Sequence, residues 1–268
     1  MKKVNLYESE NNIMVGFETD DGYIIESVYS KSSKCLCIST QIGCLTHCVF
    51  CASGSKDFIR NLDYEELIAQ IRYFEKCGKE INQIHFGGIG EPLRNIDNVN
   101  RVTLELRHYM FQVTTSVPSK ESFLMLSKGR YDSIIISLHS AIENTRKRLI
   151  KNSISVDAIE DTINAYMLVD ESAINKLRIS YLILSGVNTS IDECVGVLLF
   201  AKRTNAKLLL LGYNSTPGNN YLTKNEDYLF IVKKCIQEHI CVEDCVNSKS
   251  RRDMIGGCGT FAYSTSNI

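Results

Sequence analysis

Three cysteines lie close together in the segment GCLTHCVFCASG, residues 43–54. Cys44, Cys48 and Cys51 follow the spacing C-x3-C-x2-C. Three thiolates at this spacing can bind one four-iron, four-sulfur cluster and leave its fourth iron without a protein ligand. A substrate or cofactor can bind that iron, which a fourth cysteine would prevent. Phe50, directly before the last cysteine, would shield the cluster from water, so the segment predicts a catalytic iron–sulfur centre.

The same cysteines leave a structural zinc site open as an alternative, with Cys37 or His47 as the fourth ligand. Structural zinc sites usually contain two C-x2-C pairs, and this segment contains only one. The spacing therefore favours the cluster over zinc.

The eleven cysteines are unevenly distributed, and five of them fall between Cys35 and Cys51. Structural disulfides are rare in reducing compartments, so metal binding or catalysis explains this crowding better than a disulfide framework. Three other cysteines fall in segments with a helical pattern. We expect these to pack as small apolar side chains: Cys77, Cys194 and Cys235.

The overall composition is that of an ordinary globular protein. The 268 residues are 44% hydrophobic and 23% charged, with three prolines, which excludes disordered and fibrous classes. The formal charge of −1 gives no overall positive field, so a nucleic acid would have to be held by a local basic patch. The N-terminal segment lacks the apolar core of a signal peptide, and the longest apolar runs are too short to cross a bilayer. We therefore expect a soluble, cytoplasmic protein.

Short apolar strands alternate with amphipathic helices from the cysteine segment onward. Asp63 and Glu66 predict a capping box at the first helix. The predicted strands are CISTQI, INQIHFGG, FQVTTS, SIIISLH, RISYLIL and KLLLLGY, and the further helices are Val99–Tyr109, Asp157–Val169, Asp192–Arg203 and Asn225–Glu238. Such alternation predicts parallel pairing with helices over one face. Six strands are too few for a closed eight-stranded barrel, so we expect an α/β fold, a partial (β/α)6 barrel with its chemistry at the carboxyl ends of the strands.

Two segments flank this core. IMVGFET and GYIIESVY, joined by Asp20–Asp21–Gly22, predict an N-terminal β-hairpin. The last segment, SKSRRDMIGGCGTFAYSTSNI, is polar and glycine-rich, which predicts a flexible tail. We therefore expect a hairpin extension at residues 1–34, the barrel core at 35–246 and the tail at 247–268.

A glycine-rich segment, GGIGEPL at residues 87–93, follows the second predicted core strand. Its glycines allow the backbone to approach a ligand closely, although a tight β–α turn would also explain them. Because the cysteine segment follows the preceding strand, both segments are expected at the same end of the barrel. We therefore expect the backbone of GGIGEPL to approach a bound ligand closely.

The three-cysteine spacing with its aromatic residue resembles the radical S-adenosylmethionine (SAM) superfamily. The resemblance implies that the open iron of a [4Fe-4S] cluster chelates the amino and carboxyl groups of the methionine part of SAM. One electron from the cluster would then yield a 5′-deoxyadenosyl radical. In the superfamily, a segment like GGIGEPL contacts the amino group of the cofactor.

Five further features are similar to the RlmN/Cfr family of RNA methyltransferases. They are CISTQIGC (37–44), FIRNL (58–62), GEPL (90–93), SLH (137–139) and the isolated cysteine of GCGT (257–260). The resemblance runs from about Glu26 to Thr260, and the order and spacing of the motifs make it specific. It implies a radical SAM enzyme that methylates carbon 2 or carbon 8 of an adenine in ribosomal or transfer RNA.

The resemblance also implies catalytic roles. Cys258 would accept a methyl group on its sulfur from one SAM molecule, and the radical from a second SAM would remove a hydrogen atom from that methyl. The methylene radical would add to the adenine carbon and join protein and RNA covalently. Cys37 would then attack Cys258, forming a disulfide and releasing the methylated base, while Glu26 would handle protons. A radical is needed because these ring carbons are electrophilic and resist methyl-cation transfer.

Cofactor contacts and partners are implied in the same way. Cys44, Cys48 and Cys51 would bind the cluster. SAM would be contacted by Gly90, Glu91, Thr114, Ser137, Leu138, His139 and Asn214. The family further implies an electron donor such as flavodoxin or ferredoxin and no membrane partner, and we expect a monomer.

The sequence departs from the family at both ends. Family members generally carry a small helical domain before the hairpin, whereas the hairpin here begins at Ile13, which implies a short member without that domain. Thr260 and Phe261 replace the glutamine and leucine that typically follow the methyl-carrying cysteine in the family.

RNA binding would require local cations. The candidates are Lys249, Arg251 and Arg252 beside Cys258, and Lys56 and Arg60 after the cysteine segment. Two alternatives remain open: an enzyme of the same mechanism that acts on a peptide or small molecule, and a zinc-stabilised RNA-binding module without catalysis.

Overall fold

A computed structural model describes residues 1–216 and 218–261. The strands in this part are β1 (Lys2–Glu8), β2 (Asn12–Glu18), β3 (Ile24–Ser30), β4 (Cys35–Ile38), β5 (Gln41–Ile42), β6 (Arg60–Asn61), β7 (Gln83–Phe86), β8 (Met110–Thr115), β9 (Ser133–Ser137), β10 (Leu177–Ile183), β11 (Lys207–Gly212) and β12 (Val242–Asp244). The helices are α1 (Tyr64–Lys76), α2 (Ile96–Glu105), α3 (Lys120–Leu124), α4 (Glu143–Leu149), α5 (Val156–Val169), α6 (Ala173–Lys176), α7 (Ile191–Arg203) and α8 (Asn225–Gln237).

Ten of these strands form one sheet in the order β1-β2-β3-β4-β7-β8-β9-β10-β11-β12, and β5 pairs with β6. Neighbours from β4 to β12 are parallel, whereas β1 to β4 pair antiparallel. All six predicted core strands and the predicted hairpin are present, so the α/β partial-barrel prediction is confirmed. β1 and the three-residue β12 extend the sheet beyond the prediction.

The parallel strands have two chemically different faces, because alternate side chains point to opposite sides of a strand. The outer face is apolar and fully buried with the helices in one core, as at Leu36, Ile84, Phe111, Ile134, Ile179 and Leu208. The inner face borders a cavity with more polar side chains: Cys37, His85, Thr114, Ser137 and Ser180. Since β3, β4 and each strand from β7 to β11 border this one cavity, the sheet curves around it.

The first helix forms as its sequence predicts. Asp63 Oδ1 accepts a hydrogen bond from the Glu66 backbone N–H (2.8 Å), and the Glu66 carboxylate accepts one from the Asp63 N–H (2.9 Å). This capping box orients α1 so that Leu67, Ile71 and Phe74 are buried against the sheet. In the described part of the chain, no helix combines the length and the apolar character that crossing a membrane requires.

The second helix occupies Ile96–Glu105 rather than the predicted Val99–Tyr109. Pro92–Asn95 forms a 3-10 turn that leads directly into it. The Asn95 amide also donates to the Leu62 carbonyl oxygen (2.7 Å), which fixes the start of the helix earlier than its apolar pattern indicates.

The cysteines in helical segments differ in burial. Cys194 and Cys235 are buried as predicted. The prediction for Cys77 was wrong, because α1 ends at Lys76 and Cys77 lies exposed in the turn that follows.

In its described part, the tail packs against the hairpin and the cysteine segment. The buried Asn12 side chain, at the start of β2, donates to the carbonyl oxygens of Ser250 (2.9 Å) and Ile255 (2.8 Å). The Ala52 N–H donates to the Gly259 carbonyl oxygen (2.8 Å). Hydrogen bonds to both the hairpin and the cysteine segment therefore hold a segment that the sequence predicts to be flexible.

Candidate active site

A cavity of about 420 Å³ follows the inner face of the strands. Cys44, Cys48 and Cys51 border it from the segment between β5 and β6. Cys37 borders it from β4, and Cys258 reaches it from the tail. The cysteines to which the sequence assigns chemistry therefore meet in one place, although they come from three separate segments.

The cysteine segment has a conformation that requires glycine at its two ends. Gly43 has φ +71°, and a Cβ atom there would lie 1.8 Å from the Asp57 carbonyl oxygen. A Cβ atom on Gly54 would lie 2.3 Å from the Cys48 carbonyl oxygen. The Cys51 N–H donates to the same carbonyl (3.2 Å), so the segment is wound tightly around its cysteines.

The three cysteines supply the sulfur donors that a cluster requires. His47, a possible zinc ligand, has its Nδ1 3.0 Å from the Gly54 carbonyl oxygen. Within residues 1–216 and 218–261, no three His, Cys, Asp or Glu side chains are grouped closely enough to hold one metal ion. Thiolates of a cubane bind different irons and so lie farther apart than the ligands of one ion.

Burial keeps these thiols protonated in the protein alone. It raises the pKa of Cys44 to about 11 and that of Cys48 well above the ordinary value. Burial also raises the pKa of Cys51, against hydrogen bonds from Gly54 and Ser53 that lower it. Metal-bound cysteines are thiolates, so assembly of a cluster on these residues must release protons.

The segment GGIGEPL packs against the protein's own Gln41. Gly90 has φ +110°, and a Cβ atom there would lie 2.6 Å from the Gln41 Cβ, while the Glu91 N–H donates to Gln41 Oε1 (2.7 Å). The buried Glu91 carboxylate accepts hydrogen bonds from Thr115 Oγ1 (2.7 Å) and from the N–H and hydroxyl of Ser116 (2.8 and 2.6 Å). Glu91 is therefore a fixed carboxylate on the cavity wall.

The end of β8 and the end of β9 supply further wall residues. Thr114 and Ser137 border the cavity, and Thr114 Oγ1 lies 2.8 Å from His85 Nε2. The Leu138 side chain is fully buried away from the cavity. The Leu138 N–H donates to the Ile136 carbonyl oxygen (2.9 Å) and its carbonyl oxygen accepts from Arg146 (2.7 Å), so the structure does not bring Leu138 to the cavity.

His139 borders the cavity in a left-handed conformation, with φ +60°. Its Nδ1 accepts a hydrogen bond from the Leu182 N–H (3.2 Å), and its carbonyl oxygen accepts one from the buried Asn188 amide (2.6 Å). The ring packs edge-on against Phe50, with centroids 5.1 Å apart. Burial, aided by the charge of Arg146, lowers the pKa of His139 to about 3, so the imidazole is neutral. The sequence does not predict a role for Asn188, because its partner His139 lies 49 residues away and no local pattern indicates the contact.

Asn214 and Arg251 position the backbone and sulfur of Cys258. The Asn214 amide donates to the carbonyl oxygens of Arg251 (2.6 Å) and Cys258 (2.8 Å). Arg251 Nη1 lies 3.5 Å from Cys258 Sγ. In this arrangement the predicted SAM contact at Asn214 is occupied by the tail.

The tail approaches Cys37 through its glycines. Gly256 has φ +65°, and a Cβ atom there would lie 2.3 Å from Val28 Cγ2. Val28 is the partner of Cys37 in the β3–β4 register. All eleven cysteines, Cys37 and Cys258 included, are free thiols, so the disulfide expected during turnover is not part of this structure. Burial raises the pKa of Cys37 well above its ordinary value.

Glu26 lies outside the cavity wall. It is fully buried on the same face of β3 as Val28, two residues away. Phe261, which is 5% exposed, packs with Val28 in a small apolar cluster. The Thr260 hydroxyl donates to the Gly257 carbonyl oxygen (2.7 Å), a hydrogen bond within the tail. Of the two residues that depart from the family pattern, Phe261 therefore packs the tail against the hairpin and Thr260 stabilises its turn.

The candidate RNA-binding cations divide into two groups. Arg60 forms ion pairs with Asp21 and Glu66 (both 2.7 Å). Arg252 donates to the Tyr213 carbonyl oxygen. Three candidates lie elsewhere on the surface or at the cavity, namely the exposed Lys56 and Lys249 and the cavity residue Arg251.

Comparison with known proteins shows the family. The sequence matches the radical SAM superfamily over residues 38–199. It is 30% identical to the "Probable dual-specificity RNA methyltransferase RlmN" of Chloroherpeton thalassium, covering 94% of this chain and 73% of that protein. The protein of the same name from Chlorobaculum tepidum is 34% identical, over 73% of this chain and 56% of that protein.

Two solved structures show the fold. A radical SAM methyltransferase from Sphaerobacter thermophilus superposes with a TM-score of 0.86 at 21% identity, covering 97% of this chain and 81% of that one. SuiB from Streptococcus suis, bound to SAM, superposes with a TM-score of 0.61 at 16% identity, covering 81% and 52%. The chain therefore belongs to the radical SAM superfamily and, within it, to the RlmN-like SAM-dependent methyltransferases, which use a [4Fe-4S] cluster.

Proposed function

We propose that this chain methylates carbon 2 or carbon 8 of an adenine in ribosomal or transfer RNA, with Cys258 as the methyl carrier. One observation carries the proposal: Cys258 of the tail and Cys37 of β4 border the same cavity as the three cysteines of residues 43–54. The names of the relatives from Chloroherpeton thalassium and Chlorobaculum tepidum support RNA as the substrate class.

Cys44, Cys48 and Cys51 would hold the cluster. SAM would lie against Gly90, Glu91, Thr114, Ser137, Leu138, His139 and Asn214. Cluster and SAM, when bound, supply an electron and a 5′-deoxyadenosyl radical. We further propose that the enzyme works as a cytoplasmic monomer with flavodoxin or ferredoxin as electron donor.

Among the protein's own groups, the thiols of Cys258 and Cys37 would take part in the reaction. The Cys258 sulfur takes the methyl carbon from SAM, whose sulfonium leaves as a thioether. That carbon takes the place of the hydrogen on the adenine carbon, which leaves as a proton, and the unpaired electron of the adduct would return to the cluster. Cys37 Sγ then attacks Cys258 Sγ. A sulfur–sulfur bond forms, the bond from Cys258 to the transferred carbon breaks, and its electron pair with one proton completes the new methyl group. Glu26 would handle protons, and an external dithiol would reduce the disulfide.

A second candidate keeps this chemistry and changes the substrate to a peptide or small molecule. The observation that favours it is that two of the five candidate cations are bound to groups of the protein itself. Arg60 is paired with carboxylates, and Arg252 is bound to a backbone carbonyl. Phosphate contacts would then depend on Lys56, Lys249 and Arg251.

The test is methyl transfer by anaerobically purified, cluster-reconstituted protein supplied with SAM, a reductant and RNA, followed by mass spectrometry of the RNA and of Cys258. We expect methyladenine with the wild type and with Cys245→Ala, and none with Cys258→Ala. Cys245 is a matched control, because it is half-buried near the tail and does not border the cavity.

Methylated RNA from the Cys258→Ala variant would contradict the carrier role. Transfer to a peptide or metabolite, with RNA unmodified, would establish the second candidate instead. A wild-type protein that assembles a cluster and forms no 5′-deoxyadenosine would overturn both.

A further inference from the structure

Arg146 of α4 is a cation enclosed by the protein, with 2% of its surface exposed. Its Nη1 donates to the carbonyl oxygens of Ser137 and Leu138 (both 2.7 Å). Its Nη2 donates to the Ser116 carbonyl oxygen (2.9 Å) and to Ser153 Oγ (2.7 Å). All four acceptors are neutral, and Nε has no hydrogen-bond partner.

No carboxylate of the described residues forms an ion pair with this guanidinium. Glu143 and Glu91 interact with it electrostatically without contact. The Glu91 carboxylate accepts from the Ser116 N–H and hydroxyl, while Arg146 donates to the Ser116 carbonyl. Burial lowers the pKa of Arg146 to about 10, which leaves it protonated at neutral pH. A buried cation with no anion in contact is costly, so its burial here favours a further anion that the protein alone does not supply.

The cysteine segment packs against the end of the helix that carries this cation. The Val49 N–H donates to the Leu149 carbonyl oxygen (3.1 Å), which joins the segment to the end of α4. Leu149 packs in one apolar cluster with Cys48 and Phe50. Among charged groups, a Cys48 thiolate would have the strongest interaction with Arg146.

We propose that Arg146 is the counter-charge of the [4Fe-4S] cluster and raises its midpoint potential. The inference rests on cluster binding by Cys44, Cys48 and Cys51 as proposed above, and it is independent of the substrate. A cubane with three thiolate ligands carries a net negative charge that grows on reduction. A nearby cation in a medium of low dielectric constant therefore stabilises the reduced state more than the oxidised state.

Arginine suits this position better than lysine, because its planar fork can bind several acceptors at once and stays charged when buried. Arg146 joins the end of β8, at Ser116, to the end of β9, at Ser137 and Leu138. The same side chain therefore fixes the strand ends that border the cavity and places a charge next to the cysteine segment.

The experiment is a redox titration of the reconstituted cluster, without SAM or RNA, followed by electron paramagnetic resonance. Arg146→Gln removes the charge, and we expect a lower midpoint potential. Arg146→Lys keeps the charge and should stay closer to the wild type. Arg148→Gln removes an equal charge two residues away on the exposed side of α4, where water screens it, and should leave the potential unchanged.

A second pair of variants decides the question if Arg146→Gln does not fold. Ser153→Asp places a carboxylate against the guanidinium and neutralises it without removing it, so we expect a lower potential. Ser153→Asn is the uncharged match and should titrate like the wild type. Equal midpoint potentials in Ser153→Asp and wild type, each with an assembled cluster, would overturn this inference alone. A wild-type chain that assembles no cluster would overturn the proposed function as well.

Discussion

Asn12 and Ser250 hydrogen-bond to each other twice. Ser250 Oγ donates to Asn12 Oδ1 (2.6 Å), and the Asn12 amide donates to the Ser250 carbonyl oxygen (2.9 Å). The same amide also donates to the Ile255 carbonyl oxygen (2.8 Å). One fully buried side chain of the hairpin thus holds the segment that carries Cys258.

Replacing Asn12 with alanine should free the tail without disturbing the cysteine segment. The variant leaves the two tail carbonyls without their donor, at a cost of about 1–3 kcal/mol. We expect Cys37 and Cys258 to form a disulfide more slowly under a mild oxidant such as diamide, while cleavage of SAM by the reconstituted enzyme continues. Peptide mapping under non-reducing conditions gives the disulfide rate. Asn175→Ala, at an exposed position on α6, is the control, and equal rates in the two variants would show that Asn12 does not position the tail.

Gly43→Ala should prevent cluster assembly. The added Cβ would lie 1.8 Å from the Asp57 carbonyl oxygen, and φ of +71° adds a strain of about 1–2 kcal/mol. Gly22→Ala has a similar backbone strain, with φ +83°, but meets no atom within 4 Å. Comparing the two variants therefore separates the effect of the steric clash from that of the backbone strain. We expect low iron content after reconstitution in Gly43→Ala alone, and normal iron content in that variant would contradict the tight winding of the segment.

The parts of the site that the sequence predicts are those with local patterns. Cys44, Cys48 and Cys51 are recognisable because they are close in sequence, and the core strands because their apolar runs repeat. Gln41, Asn12 and Arg146 were missed because each contacts groups far away in sequence, mostly backbone atoms that leave no trace in residue types. The short β12 was missed for a related reason, since three residues carry no periodicity.

His85 should make stability depend on pH in the acidic range. Burial, aided by the charge of Arg251, lowers the pKa of His85 to about 3, whereas an unfolded histidine titrates near 6.5. Between these values the unfolded chain binds a proton that the folded chain does not. The free energy of unfolding should therefore be fully retained above about pH 6.5 and fall as the pH drops toward 3, by up to about 1.4 kcal/mol per pH unit.

The measurement is urea unfolding of the cluster-free protein between pH 7 and pH 5. His85→Gln should reduce the pH slope by about one proton, since the ring faces Thr114, Cys37 and Arg251 and none of these is a carboxylate. Some slope should remain, because the pKa of His139 is also lowered by burial. The exposed His108→Gln is the control, and a slope unchanged by His85→Gln would contradict a buried neutral imidazole.

Cys37→Ala should trap protein covalently joined to RNA. Without the Cys37 thiol, nothing attacks the Cys258 sulfur, so the bond between Cys258 and the transferred carbon persists after that carbon has reacted with adenine. A band of slower migration on a denaturing gel, sensitive to ribonuclease, would report the adduct. The amount of adduct should approach one RNA per active protein molecule, since each protein molecule can react only once.

Cys35→Ala is the matched control for this trap. Cys35 lies two residues before Cys37 on the same face of β4 and borders the same cavity, and burial raises its pKa to about 12. If position on the strand decides which thiol reacts, Cys35→Ala turns over normally and accumulates no adduct. If the adduct accumulates in neither single variant but does so in the double variant, the two thiols substitute for each other. Adduct in Cys35→Ala and none in Cys37→Ala would assign the attack to Cys35. The raised pKa of a buried thiol is compatible with that role, since the thiol reacts once a neighbouring group removes its proton.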